Sequence, residues 1–90
     1  MQITFDPAKR EETLRKREVD FLDAVTVFAG WTHTFQDKRR PYPEDRFVTA
    51  GLLSGRMVIV VWTPTDDGRR IISMRKANDR EQARYTHRLG

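Results

Sequence analysis

One stretch of the chain lacks charge altogether, and the pattern around it predicts a β-hairpin. Residues 57–63 are uncharged and rich in Val and Ile. A run this short suits a strand covered on both faces better than it suits a buried helix. Asp66-Asp67-Gly68 supplies a chain reversal, because Gly accepts positive φ and Asp tolerates it. Residues 69–76 mix apolar with basic side chains, so we expect a central strand joined to one that carries charge.

The N-terminal third predicts a short strand followed by two helices. Residues 2–5 are β-branched and aromatic, and Asp6-Pro7 then marks a helix start, because Asp caps free N–H groups and Pro has none to leave unsatisfied. The first helix, over residues 7–17, is mostly polar and basic. The second, over residues 20–30, begins at an Asp cap and ends at a Gly. Its predicted core face consists of Phe21, Ala24, Val25 and Phe28.

Two further strands precede the uncharged run. Residues 31–36 are aromatic and β-branched, which is typical of a strand. The loop 37–45 is charged and contains two prolines that prevent regular structure. Residues 46–53 form the next strand, and Ser54-Gly55 makes a two-residue turn into the central strand.

The chain ends with one more predicted helix. Asn78 and Glu81 form a capping-box pair, and the helix runs from there toward Leu89. One strand, two helices, four strands and a helix predict an α+β fold, in which helices pack on a mostly antiparallel sheet.

Tight hairpin registers would sort the strand side chains into two faces by the period of two. With Val58 opposite both Gly51 and Arg75, one face is nearly all aliphatic and is the expected floor of the core. The other face mixes aromatic, hydroxyl and guanidinium groups, which suits a surface for nucleobases and phosphates. The predicted core face holds Val48, Ala50, Leu52, Met57, Ile59, Val61, Ile72 and Met74. The predicted mixed face holds Phe47, Thr49, Val58, Val60, Trp62, Ile71, Ser73 and Arg75.

A second interpretation of the mixed face is purely structural. The last helix would cover it, Trp62 and Phe47 would form a minor core, and Arg75 would pair with an acidic residue. The two interpretations differ in whether the guanidinium of Arg75 is available to a ligand.

Charge then narrows the class of partner. The 90 residues form one domain, with a net charge of +4 and a pI of about 10.0. A small basic domain most often binds nucleic acid, with an acidic protein partner or a merely solvated surface as alternatives. Without cysteine, stability must come from packing rather than disulfides.

The sequence contains none of the common motifs for binding a metal or a cofactor. The motifs H-E-x-x-H, G-x-x-x-x-G-K and G-x-S-x-G do not occur, so we expect no metal and no cofactor. His33 and His87 are far apart and have no acidic partner at a recognisable spacing. No apolar run is long enough to cross a membrane, and we expect a cytoplasmic protein without membrane contact.

The order of motifs resembles the BrnT family, the toxin half of bacterial type II toxin–antitoxin pairs, whose members have a RelE-like fold. The resemblance covers nearly the whole chain, taken as a single domain over residues 1–90. It is carried by Phe5-Asp6-Pro7-Ala8-Lys9, Leu14-Arg15-Lys16, Val19-Asp20-Phe21, Ala24, Val27-Phe28, Glu44-Asp45-Arg46-Phe47, Gly51, residues 70–77, Glu81 and Tyr85.

The resemblance implies a metal-independent endoribonuclease that cleaves RNA and inhibits translation. It also implies a cognate, BrnA-like antitoxin with a DNA-binding domain, and a dimer of the toxin within that complex. The 2′-hydroxyl would attack the adjacent phosphate while protein groups move protons and stabilise the charged phosphorane. A non-catalytic nucleic-acid-binding module and a protein-interaction domain are the alternatives.

Candidate site residues follow from the motif positions and from the mixed face. Arg75 is the first choice for the scissile phosphate, because a guanidinium binds two phosphate oxygens and stays charged. Lys9 and Arg46 are supporting cations, and Tyr85 and Glu12 are candidates for proton transfer or contact with a base. The alternative for Tyr85 is packing of the last helix against the sheet. The predicted RNA-binding residues are Arg70, Trp62, Ser73 and Lys76.

The first helix departs from the family pattern at its end. The family usually has Asn within this helix and His-Gly after its Lys, where this chain has Thr13 and Arg17-Glu18. A role for that histidine is therefore not transferred to this chain.

Overall fold

The elements follow one another along the chain as predicted. The structure is a computed structural model that describes residues 2–89, so the two end residues of the predicted 1–90 domain lie outside it. The strands are β1 (Gln2–Phe5), β2 (Thr32–Gln36), β3 (Phe47–Leu53), β4 (Arg56–Pro64) and β5 (Gly68–Lys76). The helices are α1 (Pro7–Arg17), α2 (Ala24–Ala29) and α3 (Asp79–Tyr85), with 3₁₀ turns at Phe21–Asp23 and Thr86–Arg88.

The five strands form one sheet in the order β1-β5-β4-β3-β2. The pairs β2/β3, β3/β4 and β4/β5 are antiparallel, whereas β1 runs parallel to β5 at one edge. Gly68 permits this parallel pair, because a Cβ on it would lie 2.0 Å from the carbonyl oxygen of Gln2. The predicted α+β class with a mostly antiparallel sheet is confirmed. No helix within residues 2–89 has the length and apolar character that crossing a membrane would require.

The turn between β3 and β4 fixes the first register as predicted. Ser54 and Gly55 have φ values of 52° and 78°, the left-handed pair of a two-residue hairpin turn. Val58 therefore lies opposite Gly51.

The predicted register between β4 and β5 is correct from Trp62, which faces Ile71 as expected, but wrong by one residue from Val58 to Val61. Val58 lies opposite Lys76 rather than Arg75, and Val61 lies opposite Ser73. Ile72 is thus the extra residue of a β-bulge.

The corrected register moves three side chains to the other face. Directly opposed residues share a face, so Met74 lies with Val60, and Arg75 and Ser73 lie with Ile59 and Val61. The mixed face that was predicted to combine Arg75 with Trp62 does not exist.

Both faces of the sheet are covered. On one side Val58, Val60 and Trp62 of β4 pack in a core cluster with Phe21 and Val27 of the N-terminal helical segment. On the other side the cluster contains Ala50, Met57, Ile59, Ala77, Tyr85 and Leu89, so α3 and the residues after it lie on the predicted aliphatic face.

The helical face predicted for residues 20–30 is corrected at one position. Asp20 caps a 3₁₀ turn rather than the α-helix, and α2 starts only at Ala24. Because a 3₁₀ turn has about three residues per turn, the helical phase shifts. Val27 is fully buried as a result, whereas Val25 is 47% exposed.

Candidate functional site

Arg75 and Glu81 form the best-defined ion pair on the α3 side of the sheet. The Nη1 and Nη2 atoms of Arg75 each donate a hydrogen bond of 2.7 Å to one carboxylate oxygen of Glu81. Within residues 2–89 these are the only hydrogen bonds of the guanidinium group. The hydrogen bonds from Arg75 hold the pKa of the Glu81 carboxyl below its usual value.

The start of α3 holds Glu81 in this position. The Asn78 side chain accepts a hydrogen bond from the Glu81 N–H at 2.8 Å, and the Glu81 carboxylate accepts one from the Asn78 N–H at 3.0 Å. This is the predicted capping box, and it is confirmed. The same carboxylate therefore caps a helix and fixes the guanidinium of Arg75. The structural interpretation of Arg75, pairing with an acidic residue, is correct in this respect.

The Arg75 guanidinium opens onto a cleft of about 280 Å³. The sheet forms its floor, α3 forms one wall and the loop 37–46 forms the other. Three guanidinium groups and two carboxylates surround it, so the cleft combines a small cationic excess with aromatic and aliphatic surface. Its lining residues are Phe35, Gln36, Asp37, Arg39, Val48, Ile59, Val61, Arg75, Glu81, Arg84 and Tyr85.

Tyr85 lies in the wall of the cleft and is only 8% exposed. Its ring stacks near Phe35 at a centroid distance of 6.1 Å and near His33 at 5.5 Å. Among residues 2–89 the His33 imidazole makes no hydrogen bond, so its two nitrogens are open to solvent or to a ligand. The cleft thus brings together a phenol, an imidazole at its margin and a fixed guanidinium.

The loop 37–46 is organised by a buried carboxylate. The side chain of Asp37 is 2% exposed and forms an ion pair of 2.9 Å with Arg39. The hydrogen bonds from Arg39 hold the pKa of the Asp37 carboxyl far below its usual value. Tyr42 contributes a further hydrogen bond to Asp37 through its hydroxyl, at 3.3 Å.

Arg46 lies at the end of the same loop, beside the cleft rather than in it. Its guanidinium lies 4.2 Å from the ring centroid of Tyr42, and its Nε lies 3.4 Å from the Glu44 carboxylate. Arg46 lines a second cavity of about 460 Å³, which shares Asp37 and Arg39 with the first. It is thus a neighbour of the candidate site.

Lys9 and Glu12 lie on α1, away from the Arg75 cleft. The Lys9 ammonium donates a hydrogen bond of 2.6 Å to the carbonyl of Ile72, the bulged residue of β5. Glu12 pairs with Lys16 at 2.8 Å along the exposed helix surface. These contacts explain the positions of both side chains in terms of the fold.

The end of α1 shows on which side of the sheet this helix lies. Glu18 follows α1 and approaches Lys76 at 3.9 Å. Lys76 is opposite Val58 and therefore on the face covered by α2. The end of α1 therefore lies on the same side of the sheet as α2. The predicted RNA-binding Lys76 is also on that side, away from Arg75.

Trp62 is part of the core rather than an exposed platform. It is 8% exposed, its ring stacks on Phe47 at 5.0 Å, and its Nε1–H donates a buried hydrogen bond of 2.8 Å to Thr49. The two aromatics are core residues, as the structural interpretation had it, but the N-terminal helical segment covers them rather than the last helix. Arg69 closes the cluster, with its guanidinium 4.5 Å from the Trp62 ring centroid.

Arg70 and Ser73 are exposed residues of β5 on the same face as Arg75. Ser73 lies opposite Val61, and Arg70 lies opposite Thr63, toward the other end of the strand. Neither lines the cleft. Of the predicted site residues, Arg75 and Tyr85 share this cleft, whereas Lys9 and Glu12 share a separate cavity of about 270 Å³ on α1.

Sequence reasoning missed most of the charged residues around the cleft. Arg39, Asp37 and Arg84 were not selected, and Glu81 was interpreted as a helix cap and a family motif position without a role in the site. A local signal existed for the loop, because Asp37 accepts a hydrogen bond from the N–H two residues on, which is a typical use of Asp in turns. Nothing local indicated that this loop faces Arg75.

Comparison with known proteins assigns the family. Among curated proteins no sequence matches this chain. A family model described as the ribonuclease toxin, BrnT, of a type II toxin–antitoxin system matches residues 5–81. The matched range includes Arg75 and Glu81 and covers most of the chain. A toxin of this type has a cognate antitoxin as its partner. The chain belongs to the BrnT family of ribonuclease toxins of type II toxin–antitoxin systems.

Proposed function

We propose that RNA is cleaved in the Arg75 cleft and that Arg75 binds the scissile phosphate. The observation that carries this proposal is the end-on pairing of Arg75 with Glu81, which uses one N–H of Nη1 and one of Nη2. A guanidinium has five N–H donors, so the Nε–H and two outer N–H groups remain for a phosphate. Because Glu81 is itself fixed by the capping box, the cation is oriented before the substrate arrives.

The reaction needs no group beyond the RNA and protein side chains. The 2′-oxygen forms a bond to phosphorus, the bond from phosphorus to the 5′-oxygen breaks, and a 2′,3′-cyclic phosphate results. One proton leaves the 2′-hydroxyl and one reaches the 5′-oxygen. Arg75 stabilises the negative charge that develops on the phosphorane, a role typically worth about 10²–10³ in rate for a single donor.

Tyr85 is the proposed proton-transfer group, since its ring lines the same cleft. A Tyr85→Phe variant keeps the ring that packs against Phe35 and removes only the hydroxyl. We expect a lower kcat with little change in KM, because proton transfer acts in the transition state. Equal decreases of activity at all pH values together with a melting temperature well below wild type would instead indicate a packing role. The proposed site excludes Lys9 and Glu12.

The experiment that tests the proposed function is cleavage of a defined RNA by the purified chain in the presence of EDTA. We expect products that end in 2′,3′-cyclic phosphate and 5′-hydroxyl groups. An oligonucleotide with a 2′-deoxy sugar at the cleaved position should resist cleavage, because it lacks the nucleophile. Salt-dependent RNA binding without any product would instead favour a non-catalytic nucleic-acid-binding module.

Four further proposals concern the fold, the partner, the stoichiometry and the location. The sheet with α3 on one face and α1 and α2 on the other is proposed to be RelE-like. The antitoxin is proposed to be BrnA-like, with a DNA-binding domain, and to hold a dimer of the toxin in the cytoplasm. Co-expression with the neighbouring reading frame, followed by light scattering of the purified complex, tests the partner and the stoichiometry.

A further inference from the structure

Asp37 is a buried carboxylate that the proposed chemistry does not use. It accepts hydrogen bonds from the Arg39 N–H at 3.2 Å, from Arg39 Nε and Nη2 at 2.9 Å each, and from the Tyr42 hydroxyl at 3.3 Å. A carboxylate is costly to bury unless such partners satisfy it. Four donors on one carboxylate give the loop 37–46 a rigid centre.

Arg39 is fixed by this carboxylate and yet remains open to solvent. Its side chain is 79% exposed, while that of Asp37 is 2% exposed. The pair uses Nε and one N–H of Nη2, so both N–H groups of Nη1 point elsewhere. An exposed arginine normally samples many rotamers, and holding it in one costs side-chain entropy. Here the buried partner holds it in a single orientation.

Arg39 and Arg75 line the same cleft, Arg39 from the loop 37–46 and Arg75 from β5 of the sheet. The positive charge of Arg39 is close enough to oppose the charged form of Arg75 and to lower its pKa slightly, against the larger effect of Glu81. Two cations in one cleft repel each other in the absence of an anion and are both stabilised when an anion lies between or beside them. Phe35 lines the cleft as well and is 39% exposed, which offers an aromatic surface for a base.

We propose that Arg39 binds the phosphate next to the one bound by Arg75, so that the cleft takes two consecutive phosphates of a single RNA strand. This inference rests on the proposed function and adds a second phosphate subsite to it. The cleft volume of about 280 Å³ suits a nucleotide and is too small for a duplex. Arg39 is thereby a binding residue, and Asp37 positions it.

Two small molecules that cannot be cleaved separate the two subsites. Adenosine 3′,5′-bisphosphate carries two consecutive phosphates, and adenosine 3′-monophosphate carries one. Calorimetric titration of Arg39→Ala should show about tenfold weaker binding of the bisphosphate and little change for the monophosphate. Arg75→Ala should weaken both ligands.

Arg40→Ala is the matched control. Arg40 lies in the same loop and carries the same charge, but it does not line the cleft. We expect it to weaken the bisphosphate by less than about twofold at moderate salt, because an exposed charge that does not contact the ligand is largely screened. With a 2′-O-methyl RNA, Arg39→Ala should lower the slope of log affinity against log salt by about 0.7, as expected for one lost phosphate contact.

Two results would overturn the inference. One is equal weakening of the bisphosphate by Arg39→Ala and Arg40→Ala, which would reduce Arg39 to a general surface charge. The other is equal weakening of both ligands by Arg39→Ala, which would place Arg39 on the same phosphate as Arg75. Either result leaves the proposed function intact if the wild-type chain cleaves RNA, whereas a wild type without cleavage refutes that function whatever the titrations show.

Discussion

Replacing Glu81 by Gln removes the charge that faces Arg75 and leaves most of the surrounding geometry in place. Gln keeps a side-chain oxygen for the Asn78 N–H, which Glu81 accepts at 3.0 Å. It cannot accept two hydrogen bonds from Arg75, because one carboxylate oxygen becomes an amide donor. The substitution therefore isolates the ion pair from the helix cap.

The size of the effect follows from the exposure of the pair. The side chains of Arg75 and Glu81 are 38% and 21% exposed, so the pair lies between the surface and buried limits. Exposed pairs contribute about 0–1 kcal/mol, and breaking a buried pair costs about 3–5 kcal/mol. We expect Glu81→Gln to lower the free energy of unfolding by about 1.5 kcal/mol. For a chain of this size that corresponds to a decrease of roughly 6–12 °C in melting temperature.

The dependence on pH identifies the charge as the cause. Because Arg75 holds the folded-state pKa of Glu81 below its usual value of 4.5, the stabilisation by the pair is fully present above pH 4.5. It is lost as the pH falls through the lower folded-state pKa, so the curves for wild type and Glu81→Gln should converge in acid. Urea unfolding followed by circular dichroism between pH 3 and pH 7 measures this difference.

Asn78→Ala serves as the control for the cap. It removes the other half of the capping box, costs about 1 kcal/mol, and leaves the Arg75 pair in place. Its deficit should stay nearly constant with pH. The reasoning is refuted if Glu81→Gln is as stable as wild type at pH 7, or if its deficit is the same at pH 3 as at pH 7.

Three further substitutions test other parts of the structure by thermal unfolding. Glu18 ends α1 in the left-handed region, with φ at 57°, which glycine adopts more easily than glutamate. Its side chain is 85% exposed and lies 3.9 Å from Lys76, so Glu18→Gly should stabilise the fold by about 0.5–1 kcal/mol. A lower melting temperature would contradict the left-handed cap. Thr49→Val leaves the Trp62 Nε1–H without its buried acceptor and should destabilise by about 1–3 kcal/mol, and a neutral effect would count against that bond. Gly68→Ala places a Cβ 2.0 Å from the Gln2 carbonyl oxygen and should cost about 2 kcal/mol or more by displacing β1; retained stability would refute the parallel pair.

The features of the fold that depend on neighbouring residues were predictable from the sequence. Asp6 caps α1 through the Ala8 N–H, the capping box starts α3, and Ser54-Gly55 turns the hairpin. Each of these uses residues at most a few positions apart. The hydrophobic and turn patterns therefore indicated the correct number and order of elements.

The error in the face assignment has a long-range cause. β1 pairs with β5 only as far as Ile71, and the Ile72 carbonyl then accepts its hydrogen bond from Lys9, 63 residues away. The bulge at this point moves Arg75 to the α3 face. A strict period of two has no means of showing where such a bulge lies.

The candidate site was predictable only where its residues lie in family motifs. Arg75 and Tyr85 belong to segments that the family motifs single out, and both line the cleft. Arg39 has no motif of its own, and its position depends on the contact of the loop 37–46 with the cleft. The sequence showed a charged loop but not its location beside Arg75.

The measurement that tests the central claim most directly is single-turnover cleavage of a defined RNA by Arg75→Ala. Arg15→Ala is the matched control, since Arg15 has the same charge and lies exposed on α1, the helix on the other side of the sheet. We predict that Arg75→Ala lowers the cleavage rate at saturating protein by at least about 100-fold, with a folded circular dichroism spectrum, and that Arg15→Ala stays within about threefold of wild type. A rate for folded Arg75→Ala that equals the Arg15→Ala rate would contradict the assignment of this cleft as the active site.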